Sequence, residues 1–203
     1  MRRELLALFL FAGVASAVPA SAQTVATPIF MAPVPAFKVN EIGGYISDPG
    51  EGIDIAIEGE YRHTHKKFDW GIQGAYMDAS GNGDNLGAIG ADARVPLVRH
   101  SQDFPLDGSL TGGFGVVFSS GNTGFLIPIG FSLGRQILLE DSNISFTPWV
   151  HPVLAPAFGD LYNDAQFGLG LGVDVALTKS LDARVSGAVG DYEGIGVGLA
   201  WHK

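Results

Sequence analysis

Two histidines in one basic turn have a spacing that could support metal chemistry. His63 and His65 bracket Thr64 in "RHTHKK", and imidazoles two residues apart lie on one side of a strand, where both could ligate a metal ion. A metal site needs further ligands and outer partners that orient them, and this pair supplies only two ligands. The stretch is therefore interpreted as a solvated turn, and neither a metal nor a cofactor is predicted.

A second stretch, His100-Ser101-Gln102-Asp103, contains the residue types of a nucleophilic triad. Neighbouring residues in a turn seldom reach the geometry in which an acid orients the base and the base contacts the nucleophile. No catalytic residue is therefore predicted.

An acidic loop, "DASGNGDNLGAI", begins like a calcium-binding loop. Asp78, Ser80 and Asn82 occupy its first, third and fifth positions, which supply ligands in an EF-hand. Its twelfth position is Ile89, where a bidentate glutamate would be needed, and no flanking helices are expected. The loop therefore does not qualify as an EF-hand.

The elements that carry these turns show strict alternation of residue types. In "FGLGLGVDVAL", residues 167–177, large apolar side chains alternate with glycine, alanine or Asp174. A period of two is typical of β-strands, and no helix follows the glycines, so they are no dinucleotide fingerprint. Ten such segments lie between turn signals, at 37–46, 53–62, 68–77, 86–97, 108–119, 124–134, 144–154, 166–177, 181–190 and 194–202.

The two faces of these segments differ in a way that is unusual for a soluble sheet. One face carries Ile, Val, Leu, Phe, Trp and Tyr, and the other carries glycines among charges of both signs. Segments of about ten residues with this alternation are typical of transmembrane barrels, apolar toward lipid and polar toward the lumen. An open sheet edge in lipid would leave backbone groups without partners. We therefore predict an all-β fold, a closed antiparallel up-and-down transmembrane β-barrel of about ten strands.

Three prolines leave the number of strands open. Pro128, Pro148 and Pro152 fall inside predicted strands, where proline removes a donor of the ladder and is normally confined to edges or bulges. Glu41 would face lipid in one of the two registers open to the first strand. An eight-stranded barrel, with part of 124–156 irregular, is the alternative.

Charged residues on the inward face are the predicted functional residues. They are Glu58, Glu60, Arg62, Asp92, Arg94, Asp174, Asp182 and Arg184. A barrel of eight to ten strands is barely wide enough for its own side chains, and an unpaired charge in a narrow lumen is costly. The mixed signs therefore favour mutual pairing that plugs the lumen over an open aqueous path.

Aromatic residues are predicted to form two belts on the outer face. With the N-terminus in the periplasm and the strands alternating up and down, they fall into a lower and an upper group, as barrels require at the two interfaces. The lower group is Tyr61, Phe68, Trp70, Phe146 and Trp201, and the upper group is Tyr45, Tyr76, Phe118, Phe125 and Phe167.

The N-terminal residues are typical of an export signal. Residues 1–22 combine a basic start, an apolar run and an Ala-Ser-Ala cleavage pattern, as in secretory signal peptides. Residues 23–36 are Pro-rich and are expected to form a poorly ordered lead-in, and residues 37–203 form the barrel. The chain has no cysteine, so disulfides do not hold the fold. A net charge of −9 argues against nucleic acid as a partner.

Together these features resemble the small outer-membrane β-barrel proteins, the porin-like and opacity-like group. The likeness rests on the signal peptide, the alternating hairpins and the final "LDARVSGAVGDYEGIGVGLAWHK", whose aromatic Trp201 is similar to the family's C-terminal assembly signal. It implies an outer-membrane location, contact with outer-membrane lipid and recognition by the barrel-assembly machinery, and it leaves the oligomeric state open. Since that group has diverse functions, the resemblance indicates a location more than an activity.

The predicted function is non-enzymatic, a structural or passive small-solute and ion transport role for a barrel with a narrow, ion-paired lumen. One alternative is a lipid A-modifying outer-membrane enzyme. His100 and Ser101 would be its candidates, although the usual His-x-Ser-Asn signature of lipid A deacylases is absent. The other alternative is a soluble secreted β-barrel that binds a hydrophobic ligand. It would need the face of Phe167, Leu169 and Leu171 to point inward.

Overall fold

The alternating segments form thirteen β-strands in the computed structural model, which describes residues 24–35, 37–50, 52–65, 67–140, 142 and 144–203. Ten strands form a ring: β1 (Asn40–Asp48), β2 (Ile53–His65), β3 (Phe68–Ala79), β4 (Leu86–Val98), β5 (Asp107–Ser119), β7 (Ile129–Gly134), β9 (Ser145–Ala155), β11 (Gln166–Ala176), β12 (Leu181–Gly190) and β13 (Gly194–His202). Three shorter strands lie off this ring: β6 (Asn122–Leu126), β8 (Ile137–Leu138) and β10 (Ala157–Gly159). The predicted signal peptide lies outside the described residues.

Each strand of the ring pairs antiparallel with its neighbours, and β1 pairs with β13 to close the sheet. The closing register runs from Glu41 opposite His202 to Asp48 opposite Ile195. The predicted closed, up-and-down barrel of about ten strands is confirmed, and the eight-stranded alternative is wrong. Within the described part of the chain, no helix is long and apolar enough to span a membrane.

Pro128 divides one predicted strand in two without opening the ring. β6 pairs with one end of β5 and with β10, whereas β7 pairs with the other end of β5 and with β9. Pro128 lies between β6 and β7, and its carbonyl accepts a hydrogen bond from the Gly113 amide at 2.9 Å. The break therefore falls at a residue that has no amide hydrogen to contribute.

Pro152 lies where the pairing of β7 with β9 is interrupted. The register passes from Gly130 opposite Val153 directly to Leu133 opposite Val150. The residues between them, Pro152 included, form no pair across this seam, as expected where proline removes a ladder donor. The other edge of β9 pairs continuously with β11, which holds the strand in the ring.

Large apolar side chains cover the outside of the barrel. One row crosses six neighbouring strands at one level and consists of Tyr76, Ile57, Ile46, Val197, Val185 and Val173. The first five of these side chains are exposed. A contiguous row of exposed large apolar side chains is typical of a surface that contacts an apolar environment or a partner.

The Pro-rich residues 24–35 lie inside the barrel, so the expectation of a poorly ordered lead-in is wrong. Val25, Phe30 and Ala32 are buried there. We call the end of the barrel where β1 begins and β13 ends the lower end, and the opposite end the upper end. Near the lower end Ser109 contacts the Pro33 carbonyl, and further up the lumen Thr24 donates to Gln73 at 2.8 Å. The segment therefore runs along the lumen.

Candidate functional site

The lumen holds every one of the predicted inward charges. Six of them are buried: Glu58, Glu60, Arg62, Asp92, Arg94 and Asp182. The side chains of Asp174 and Arg184 are 12 % and 15 % exposed. The alternation of β2, β4, β11 and β12 brings these residues to one surface because successive side chains of a strand point to opposite faces.

Arg62 lies at the centre of a cluster built by three neighbouring strands. Its guanidinium contacts Glu60 at 2.6 Å, Asp69 at 2.7 Å and Asp92 at 2.7 Å. In the register, Gly71 lies between Arg62 and Asp92. A Cβ atom at Gly71 would lie 2.8 Å from Arg62 Nη1. Glycine at this position therefore lets the arginine reach across β3.

Asp69 joins Arg62 to a second arginine. Arg94 Nε donates to Asp69 Oδ2 at 2.8 Å, and Arg94 Nη1 donates to the Ala32 carbonyl of the luminal segment. Asp69 lies directly opposite Arg94 in the register but is missing from the predicted set. The signal was present in the sequence, because Asp69 lies on the polar face of its strand.

Arg184 organises the opposite wall. It contacts Glu41 at 2.5 Å and Asp174 at 3.4 Å, and its Nη1 donates to Tyr45 Oη at 2.7 Å. Tyr45 Oη in turn donates to Glu60 Oε2 at 3.0 Å. The two charged walls are thus linked across β1 by one phenol.

The register of β1 determines which of its side chains face the lumen, and this decides the expectations for Glu41 and Tyr45. Glu41 faces the lumen and is buried, so the register that would direct it toward lipid is not adopted. The prediction of Tyr45 as an aromatic of the upper belt is wrong, because Tyr45 shares the inward face with Glu41. Gly198 on β13 leaves room for the phenol, since a Cβ atom there would lie 2.1 Å from the Tyr45 ring.

Asp182 lies at the lower end of the lumen, where its Oδ2 lies 3.3 Å from His202 Nε2. Asp174, higher in the barrel, accepts a hydrogen bond from Trp149 Nε1 at 2.9 Å. Trp149 is thereby the one tryptophan whose indole faces the lumen.

Polar side chains of the wall bind the backbone of the luminal segment. Ser186 Oγ donates to the Pro28 carbonyl at 2.6 Å and accepts from the Phe30 amide at 3.3 Å. Ser132 Oγ donates to the Met31 carbonyl at 2.6 Å. Unpaired backbone groups in a lumen of this kind would be costly, so these side chains fix the path of the segment.

Glycines of the wall provide the space that the segment fills. A Cβ atom at Gly170 would lie 2.4 Å from the Phe30 ring, and one at Gly196 would lie 2.3 Å from Ile29. One at Gly115 would overlap the Thr24 backbone. The alternate glycines of the wall therefore leave the room that this segment occupies.

A histidine and a threonine meet inside the lumen. His151 Nε2 lies 2.8 Å from Thr111 Oγ1, and the Met31 amide donates to His151 Nδ1 at 3.4 Å. Because Nδ1 accepts, we assign the ring proton to Nε2, which then donates to Thr111. In this tautomer the imidazole does not accept the threonine proton, as a general base must.

The other histidine motifs stay at the surface. His63 Nδ1 lies 2.7 Å from Asn40 Oδ1. His100 Nδ1 lies 2.9 Å from Asp107 Oδ2, while Ser101 Oγ accepts from the Phe104 amide at 3.2 Å. Ser101 therefore does not contact the histidine beside it. Among the described residues, no three His, Asp or Glu side chains are grouped as a metal site would require.

The remaining predicted belt aromatics lie on the outer wall. Phe68, Trp70, Tyr76, Phe118, Phe167 and Trp201 are exposed, and Tyr61, Phe125 and Phe146 are half-buried. Phe146 and Trp201 each lie one residue from the lower end of a strand, and Phe118 and Phe167 one residue from an upper end. Phe125 also stacks on Phe158, with ring centroids 5.3 Å apart.

The upper part of the lumen is apolar and includes two loop tyrosines. Val25 of the segment belongs to a cluster with Ala56, Met77, Ala88, Val117, Leu126, Val153, Ala155, Ala188 and Tyr192. Burial raises the pKa of Tyr162 to about 12 and raises that of Tyr192 further. Both phenols are therefore neutral at physiological pH.

No protein-family model and no curated protein matches the chain. Among solved structures, the chain is similar to a bacterial polysaccharide outer membrane secretin, with 12% identity and a TM-score of 0.45, over 72% of this chain and 56% of the secretin. It thus spans little more than half of that protein. It is also similar to the β domain of the Bordetella autotransporter BrkA, with 16% identity and a TM-score of 0.51, over 79% of this chain and 81% of that domain. At this identity the likeness to the autotransporter domain is one of fold.

Proposed function

We propose that this chain is a non-enzymatic outer-membrane β-barrel whose lumen is closed by ion pairs and by its own N-terminal segment, with a structural role. Passive transport of small solutes or ions through the narrow lumen is the second candidate. The single observation that carries the proposal is the reversal of the usual arrangement: apolar side chains cover the outside while arginines and carboxylates are buried inside.

The outer wall supports a lipid environment. A closed ring leaves no unpaired strand edge, which is the condition for a β-structure in hydrocarbon. Strand ends carry aromatic residues such as Trp201 at the lower end and Phe167 at the upper end, as at the two interfaces of membrane barrels. The likeness to the autotransporter β domain supports the fold on which this proposal rests.

The lumen supports closure over free permeation. Arg62 and Arg94 are held by carboxylates from neighbouring strands. Residues 24–35 fill the space between the charged walls, and the apolar cluster around Val25 closes the upper half. A water-filled channel has no such continuous packing.

The two alternatives receive less support from the geometry. For a lipid A-modifying enzyme, Ser101 would have to contact His100, but Ser101 binds the Phe104 amide and His100 lies against Asp107. For a soluble barrel with an apolar ligand site, Phe167 and Leu171 would have to face inward, and both are exposed on the outer wall.

Fractionation of cells that express the full chain tests the location and the closed fold. We expect the protein in the outer-membrane fraction and a shift in electrophoretic mobility when the SDS sample is heated. Recovery as a soluble monomer without detergent would contradict the membrane proposal. In the same cells, His100→Ala and Ser101→Ala should leave the lipid A mass profile unchanged, and an altered profile would favour the enzyme.

A further inference from the structure

We propose that residues 24–35 are a removable plug, and that the path they occupy conducts small cations when they leave it. This inference rests on the proposed membrane location. It goes beyond the proposed closure because it makes the segment removable and assigns a ligand class to the path behind it.

The plug is attached differently from every strand of the wall. None of residues 24–35 takes part in the β-ladder. The segment is held by separate contacts, such as Thr24 to Gln73, Thr27 to Glu58 and Ser109 to the Pro33 carbonyl. Each of these wall groups can bind water instead. The segment can therefore leave while the hydrogen-bonded ring stays intact.

The wall behind the plug is lined by small residues. Gly90, Gly115, Gly170 and Gly196 face the segment, and in the upper lumen the neighbours of Val25 include Ala56, Ala88, Ala155 and Ala188. Side chains of this size do not fill the space that the segment vacates. Removal therefore leaves a gap along the lumen beside the Arg62 and Arg184 clusters.

The charges around this gap favour cations. The described residues place seven carboxylates along it, Glu41, Glu58, Glu60, Asp69, Asp92, Asp174 and Asp182, against the three guanidiniums of Arg62, Arg94 and Arg184. Glu58 makes no ion pair with a described residue and is capped by Thr27 of the plug. Rings of carboxylates select cations in channels, and departure of the plug exposes an unpaired one.

Single-channel recordings in planar bilayers under a KCl gradient test the plug. The unmodified protein, the full chain lacking residues 24–35, and the double variant Ile29→Ala/Phe30→Ala are compared, each first checked for the heat-dependent mobility shift. Leu138→Ala, an exposed position outside the barrel ring, is the matched control. We expect discrete current steps with a cation-selective reversal potential in the deletion variant, more frequent openings in the double variant, and neither in the control.

The outcomes of these recordings distinguish failure of the plug inference from failure of the proposed function. Adding Glu58→Gln to the deletion variant should reduce its preference for K⁺ over Cl⁻. If the deletion variant is folded and inserted but conducts no more than the unmodified protein, or is anion-selective, the inference is overturned. If the deletion variant does not fold, the double variant takes its place. The inference is then overturned if the double variant conducts no more than the unmodified protein or is anion-selective. If the unmodified protein itself does not enter membranes, the proposed function fails first.

Discussion

Among the buried charges, Arg62 is the residue whose replacement should affect the free energy of unfolding most. Its side chain is 2% exposed and contacts three carboxylates at 2.6–2.7 Å. Replacement by methionine keeps much of the stem but leaves these carboxylates without that partner. Removing one member of a buried ion pair typically costs about 3–5 kcal/mol.

The remaining partners place the expected loss near the lower limit of that range. Without Arg62, Asp69 still binds Arg94, and Glu60 still accepts from Tyr45. Asp92 keeps only its contact with Gln73 among described side chains. We therefore expect Arg62→Met to lower the free energy of unfolding by about 3 kcal/mol.

Urea unfolding of the protein in lipid vesicles, followed by the heat-dependent mobility shift, measures this loss. Arg135→Met is the matched control, because Arg135 is exposed and its guanidinium donates to the Pro105 carbonyl at a distance of 3.4 Å. An exposed contact contributes about 0–1 kcal/mol. Adding Asp92→Asn to Arg62→Met should recover part of the loss, since it removes a carboxylate left without its arginine. Equal, small effects of Arg62→Met and Arg135→Met would refute a lumen held by buried ion pairs.

Three further predictions concern the packing around the plug and the loop tyrosines. Tyr192→Ala should lower the free energy of unfolding by about 3 kcal/mol. Tyr192→Phe should leave it nearly unchanged, because the buried hydroxyl has no hydrogen-bond partner among described residues. Urea titration measures both effects. Gly170→Val should destabilise the barrel because a Cβ atom there meets the Phe30 ring at 2.4 Å, and Phe30→Ala should relieve that effect in the double variant; additive losses would contradict the contact. Burial raises the pKa of Tyr162 to about 12, so its stabilising effect should be complete below about pH 10, the usual tyrosine value, and be lost as the pH rises toward 12. Absorbance titration of the phenolate against Tyr162→Phe checks this, and ionisation at the usual value would contradict it.

Several strands of the ring are predictable because each has a strong local signal. Alternation over 166–177, for example, predicts β11 (Gln166–Ala176) almost to the residue. Pro128, Pro148 and Pro152 raise the same expectation of irregularity. Of these three, Pro128 lies at a break, between β6 and β7, whereas the other two lie inside β9, which pairs continuously with β11. Local sequence therefore predicts where strands form, but not where a strand is divided, because that depends on its neighbours in the sheet.

The arrangement of the lumen depends on contacts that are distant in sequence. Asp69 binds Arg94 because the two are register partners on neighbouring strands, and spacing along one strand does not reveal this. The plug has no periodicity, and its contacts span large separations, as between Pro28 and Ser186. Proline-rich composition alone is typical of an irregular lead-in. Only the structure of the closed barrel shows that these residues fill its lumen.

The central claim is that the apolar face of the barrel meets lipid and the charged face encloses the lumen. The three native tryptophans test it directly, because Trp70 and Trp201 are 37% and 49% exposed on the outer wall while Trp149 is 6% exposed toward the lumen. Variants that retain one tryptophan each, with phenylalanine at the other two positions, are folded into vesicles of brominated lipid and their fluorescence is measured. We predict strong quenching of Trp70 and Trp201 and little quenching of Trp149. Quenching of Trp149 with emission from Trp70 and Trp201 unchanged would contradict the orientation of every strand in this barrel.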